Sequence, residues 1–222
     1  MSDSRVAPAR RSFIATVAAA AAAVGLSKPA PATAAAESGG GTSFQTWLES
    51  IHGKYRQVYD ATAPNNGYAL AWSHVYLTTG VEGYDVPESD LGVVVVLRLT
   101  AVPLALQSNV WEKYKLGEFY KINDPGTKAP ALRNPYAFIK PGDLPFPEAA
   151  LDQLIASGVR VAVCNTAIHF QSMRIAKEAG VAHEVVKGDF LAAVIPGVQV
   201  VPSGVLAING AQRKGCTYCF AG

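Results

Sequence analysis

The stretch LGVVVVLRL, Leu91 to Leu99, restricts the fold of this chain more than any other. Four consecutive valines leave no polar face, so a strand built from them must be covered on both sides, as strands of parallel sheets are. VRVAVC (159–164) and PGVQVVPSG (196–204) have the same apolar, β-branched character. Lys54–Ala61 (KYRQVYDA) reads as a first strand and CTYCFAG (216–222) as a short last one.

Segments of helical period separate these strands, and parallel pairing needs such crossovers. Tyr68, Trp72, Val75 and Tyr76 define one, and FQTWLESIHGKY (44–55) gives a shorter helix ahead of the first strand. PLALQSNVWEKYKLGEF (103–119) reads as one helix opening at Pro103, with Leu104, Val110 or Trp111, and Tyr114 turned inward. PEAALDQLIASG closes on Gly158 and NTAIHFQSMRIAKEAG on Gly180, both expected at helix C-termini. A short helical segment is expected near Asp189 to Ala193, and VLAINGAQRKG (205–215) forms the last helix. Asn123 to Pro147 holds six prolines and reads as a long connection, a kind of loop that is usually functional or covers something. The expected architecture is a three-layer α/β domain over 44–222, with a mostly parallel sheet of about five strands and helices on both faces.

The N-terminal part has a different character. Arg10-Arg11 precede an apolar run from Phe13 to Leu26. That run is about fourteen residues, short of the roughly 20 a bilayer span needs. A-x-A cleavage patterns follow at Ala32-Thr33-Ala34 and Ala34-Ala35-Ala36. The Arg-Arg pair with Ser12-Phe13-Ile14 resembles a twin-arginine export signal, with Ala9 where Ser or Thr is usual. Residues 1–36 are therefore expected to be a signal peptide and 37–43, with three glycines, a flexible tether. The expected location is periplasmic or otherwise exported, with membrane contact only during export.

Removing residues 1–36 takes away Arg5, Arg10, Arg11 and Lys28 against Asp3, and the formal charge of +2 becomes −1. The basicity belongs to the leader, and no clustered basic face of the kind nucleic acids require is present. G-x-G-x-x-G, P-loop, H-E-x-x-H and G-x-S-x-G patterns are also absent.

Chemistry is expected at Cys164, where a buried strand ends and a helix begins, because ligands of open parallel sheets gather outside the carboxyl ends of the strands. Asn165 or Thr166 would cap that helix and aim its first N–H groups at the sulfur, a setting that favours thiolate chemistry. The bland reading is that cysteine is often just a small buried hydrophobe. Arg98, ending the valine strand, would hold a thiolate or small anion, or else form a structural ion pair. His169 is a proton donor or ligand if it reaches the mouth of the site. His52, His74 and His183 have no partner pattern.

Cys216 and Cys219 form a C-x-x-C in a segment that reads as extended. Residues i and i+3 of a strand face opposite sides roughly 10 Å apart, beyond the span of about 7 Å a disulfide tolerates. Either a turn brings them together, or one of them pairs with Cys164, or all three cysteines hold a soft metal such as Cu(I) or Zn(II), or Cys219 is packed core and Cys216 a neighbour without a role.

The residues VRVAVCNTAI (159–168) and IPGVQVVPSGVLAINGAQRKGCTY (195–218) resemble the DsrE/DsrF/YchN superfamily of small sulfur-relay proteins. In that family a strand ending in cysteine is followed by a helix, a Pro-Gly-Val strand and a closing Gln-x-x-Gly-Tyr-x-Tyr element. The likeness spans about Gly158 to Tyr218; from Lys54 to Leu116 only the order of strands and helices agrees. The resemblance implies that Cys164 accepts sulfur as a persulfide; on the reading of the residues themselves, Arg98 and the helix amides would stabilise its charge. It also implies a homo-oligomer and a separate protein that donates or accepts the sulfur. The departure is location, since the family's relays are cytoplasmic and this chain carries an export-type leader. The alternatives are a non-catalytic protein holding a metal or small ligand through Cys164, Cys216 and Cys219, and a redox-inert oligomeric module.

Overall fold

The computed structural model describes residues 43–222. The expected leader (1–36), and the tether apart from Ser43, lie outside the described residues. Five strands, β1 (Tyr55–Ala61), β2 (Leu91–Leu97), β3 (Arg160–Cys164), β4 (Val198–Val201) and β5 (Thr217–Phe220), form one sheet. Its order is β4-β3-β2-β1-β5 and every neighbouring pair is parallel. The fold is thus a three-layer α/β fold, and all seven residues of β2 are buried, as the valine run demanded.

Eight helices are described: α1 (Phe44–Glu49), α2 (Tyr68–Tyr84), α3 (Ser108–Lys113), α4 (Leu116–Tyr120), α5 (Leu151–Ala156), α6 (Asn165–Ala179), α7 (His183–Ala192) and α8 (Gly204–Arg213). The chain steps from β1 to β4 in one direction across the sheet. Right-handed crossovers then put the intervening helices on one face. The step from β4 back past β1 to β5 reverses direction and puts α8 on the other face, beside α1. The buried side chains divide accordingly. Tyr59, Val93, Val95, Leu97, Val161 and Val163 meet the α2–α7 side, with Leu70, Trp111, Ile168 and Phe190. Val58, Val94, Val96, Ala162 and Val201 meet Trp47, Leu48, Ala207 and Ala211 of α1 and α8. This alternation by twos is what a sheet covered on both faces requires.

Two sequence expectations are corrected. The single helix opening at Pro103 is instead a 3-10 stretch (Leu99–Ala105) followed by α3 and α4, which are separated by Lys115 in the left-handed region (φ 49°). Backbone groups that a continuous helix would use internally are taken by the chain before β4. Gln107 N–H donates to Ala193 O at 2.8 Å and Ile195 N–H to Ala105 O at 2.9 Å. Leu104 and Tyr114, expected inward, are buried, and so are both of the alternatives Val110 and Trp111. The short helix near Asp189 is α7, which starts six residues earlier than expected, at His183. No helix among the described residues is long and apolar enough to cross a membrane.

Candidate functional site

The site is built where the carboxyl ends of β1, β2 and β3 meet the first turns of α6 and α8. β3 passes into α6 with no loop between them, and Cys164 is itself the helix N-cap (φ −74°, ψ 114°). Its Sγ accepts the Ala167 N–H at 3.2 Å, filling the role a Ser or Asn oxygen normally has. This corrects the expectation that Asn165 or Thr166 caps the helix. Asn165 is the first helical residue, and its Oδ1 is buried without a partner among the described residues. The Thr166 hydroxyl donates to the carbonyl of Pro202 at 3.0 Å, tying the start of α6 to the chain entering α8. Cys164 is 5% exposed.

Arg98 is not a free anion holder. Its Nε and Nη2 donate to the two carboxylate oxygens of Asp60 at 2.6 and 2.8 Å, a bidentate pair whose acid is 2% exposed. The Tyr218 hydroxyl donates to Asp60 Oδ2 at 2.8 Å. Asp60 thus receives three donors, as a carboxylate buried in a sheet requires. The hydrogen bond to Asp60 raises the Arg98 pKa above its ordinary value, and the nearby Cys164 sulfur adds to that rise in a smaller way. Burial, and then the bond to Asp60, raise the Tyr218 phenol. Nη1 of Arg98 bonds to nothing among the described residues.

Gly204 allows this arrangement. A β-carbon there would lie 2.8 Å from Arg98 Cβ and 2.9 Å from its Cδ, so the first turn of α8 rests directly on the arginine stem. Ser203 caps α8, its Oγ accepting the Leu206 N–H at 3.3 Å. The amino ends of α6 and α8 therefore both open on the crevice beside Arg98, a convergence of dipoles that favours negative charge.

The other expected residues do not join this cluster. His169 packs edge-on against His183, ring centroids 4.8 Å apart, and His183 Nε2 meets the Ser172 hydroxyl at 3.1 Å. All three cysteines are free thiols. Tyr59, in register with Cys219, belongs to the α2–α7 side, whereas Cys216 packs among the α1 and α8 residues. The pair thus faces opposite sides, as its spacing implied. Burial raises the Cys216 thiol pKa, with Arg56 opposing the rise. β3 and β5 are separated by β2 and β1, so Cys164 lies three strand spacings, about 14 Å, from Cys219. Thiolates sharing one zinc each sit about 2.3 Å from it, so these three sulfurs cannot hold one ion in this arrangement. Among the described residues no group of three or more His, Cys, Asp and Glu is placed to bind a metal.

Asp60, Tyr218 and Gly204 were not singled out from the sequence. Asp60 had a usable signal: an acidic residue inside a strand that becomes buried needs a cation on a neighbouring strand, and Arg98 ends the next one. Tyr218 and Gly204 depend on register and close approach, which have no local signature.

An all-parallel, three-layer α/β protein with a cysteine-capped helix at the strand ends is what the structure defines. No known protein family matches the chain. No curated protein matches it either. A solved protein of unknown function, MTH1491 from Methanobacterium thermoautotrophicum, is similar with 16% identity and a TM-score of 0.36, over 75% of this chain and 98% of that one.

Proposed function

We propose that this chain handles sulfane sulfur or thiols through Cys164, as a DsrE-like persulfide carrier or sulfurtransferase-like protein working after export. The observation that carries the reading is the placement of the Cys164 sulfur. It caps α6 at the end of a central strand, beside a guanidinium that Asp60 holds in place. In the transfer step the Cys164 sulfur attacks the outer sulfur of a donor persulfide. A new S–S bond forms on Cys164, the donor's S–S bond breaks, and the donor leaves as a thiolate, with no net oxidation. Arg98 Nη1 and the amide ends of α6 and α8 would stabilise the anionic outer sulfur. The low exposure of Cys164 means that a donor must enter the crevice between these two helices. A homo-oligomer belongs to the same reading, supported by the outer edge of β5, which is unpaired among the described residues.

The test is intact mass of the exported protein, native and denatured, before and after reductant. A gain of about 32 Da, one sulfur atom, lost with reductant and absent from Cys164→Ser, is the expected result. Three unmodified, slowly reacting thiols after treatment with a persulfide donor would instead mark a redox-inert module.

A further inference from the structure

A separate cavity of about 340 Å³ lies where the proline-rich crossing 123–147 passes over the start of α2. Its walls are Tyr68, Leu70, Tyr136, Leu144, Pro145 and Phe146. We propose that it is a binding site for a neutral aromatic molecule of one or two rings that carries a hydroxyl or carbonyl group.

Tyr136 decides the ligand's polar group. The residue is 6% exposed, and its hydroxyl makes no hydrogen bond among the described residues. That oxygen is not among the sealed orphan atoms, and Tyr136 is part of the cavity wall. A phenol buried this far normally finds a partner, and a ligand acceptor supplies one here. Asn66 and Asn123 also line the space, and their side-chain amides bond to nothing among the described residues.

The charge of the ligand follows from Asp143, the sole charged residue in the lining. Arg133 binds both Asp143 oxygens at 2.5 and 2.7 Å, holding the carboxyl below its usual range, and reaches Asp124 at 2.7 Å. With that carboxylate neutralised, nothing in the wall rewards a cation or an anion. Size is bounded by the volume, which is near the low end of small-molecule sites, about 300–1,000 Å³.

The walls are held in position before any ligand arrives. The buried Asn134 amide donates to the carbonyls of Leu104 and Leu106 at 2.9 Å each and accepts the Tyr136 N–H at 2.9 Å. The Tyr136 ring rests on Gly67, where a β-carbon would lie 2.7 Å from Cδ1. Gly67 has φ +77° and follows Asn65 and Asn66, both also left-handed, so the turn entering α2 is shaped to bring backbone against that ring.

The experiment is calorimetric titration of the full chain with 2-naphthol, neutral at pH 7, against 2-naphthoate, its anionic counterpart. Saturable binding of 2-naphthol with at least tenfold preference over 2-naphthoate is expected. Tyr136→Phe, which removes only the hydroxyl, should weaken it about fivefold. Ala71→Trp fills the cavity from a half-buried wall position and should abolish it, while Cys164→Ser leaves it unchanged. Absence of saturable binding up to millimolar 2-naphthol overturns the proposal. So does equal affinity for the naphthoate, or binding that Tyr136→Phe leaves untouched in a variant with native circular dichroism.

Discussion

Arg98 and Asp60 face each other across β2 and β1 as a two-point ion pair, Nε to Oδ1 at 2.6 Å and Nη2 to Oδ2 at 2.8 Å. The pair joins the fold to the site, because the same guanidinium carries the start of α8 on its stem and stands beside Cys164. Its removal should therefore affect stability and the proposed sulfur chemistry together. Arg98→Ala leaves a buried carboxylate with only the Tyr218 hydroxyl, and the loss should be about 3 kcal/mol. Arg98→Lys keeps the charge without the fork and should recover less than half of that. Urea unfolding measures both; a loss below about 0.5 kcal/mol for Arg98→Ala would show that the pair is not a structural element.

Gly204→Ala tests the contact from the other side. The added carbon falls on the root of a side chain whose far end Asp60 fixes, so the arginine cannot swing clear and α8 must shift. A cost of about 1–3 kcal/mol is expected from overpacking. The same substitution at Gly188, where a β-carbon meets nothing within 4 Å, should stabilise α7 by up to about 1 kcal/mol. If both variants unfold at the same denaturant concentration, the close packing of α8 on Arg98 is not real.

Much of the fold could be read from the sequence because its signals are short-range. The valines of β2 needed two covered faces, and Gly158 and Gly180 close helices with φ of +99° and +65°. α7 was largely missed because Ala182 offers no capping side chain and Gly188 interrupts the middle, so nothing local marks its start. The site was legible in position and not in partnership. Cys164 lies at the strand end expected of it, yet the cap is the cysteine itself, since β3 enters α6 with no residue to spare. Asp60 and Tyr218 meet Arg98 only through sheet register, a tertiary relationship that no sequence window contains.

Alkaline conditions should weaken the fold through Tyr59 and Tyr120. Burial pushes both phenols well above the usual range near 10, and their hydroxyls donate to Trp72 O at 3.1 Å and Gln171 Oε1 at 3.0 Å. Between the ordinary and the raised pKa the unfolded chain sheds protons that the native state keeps. The unfolded state then binds fewer protons, so stability falls as pH rises. The contribution is complete below about pH 10 and is lost progressively above it. Tyr120→Phe should cost about 1 kcal/mol at pH 7 and flatten the decline between pH 10 and 11. Guanidinium midpoints across that range would disprove the assignment if wild type and variant fell in parallel.

The outer edge of β5 predicts an association state. Among the described residues β5 pairs only with β1, and its exposed side chains include Tyr218 and Phe220, 47% and 57% exposed, with no charge or proline in Thr217–Phe220. β4, the other edge strand, is better covered and is followed directly by Pro202. Edge strands left in this state tend to pair with another chain. A second copy docking on β5 would border the Asp60–Arg98 cluster, because Tyr218 belongs to both. Sedimentation at micromolar concentration should find an oligomer for the wild type and a monomer for Phe220→Lys, which places a charge on the edge strand at the register partner of Asp60. A monomeric wild type would refute the association, and an oligomeric Phe220→Lys would move the interface away from β5.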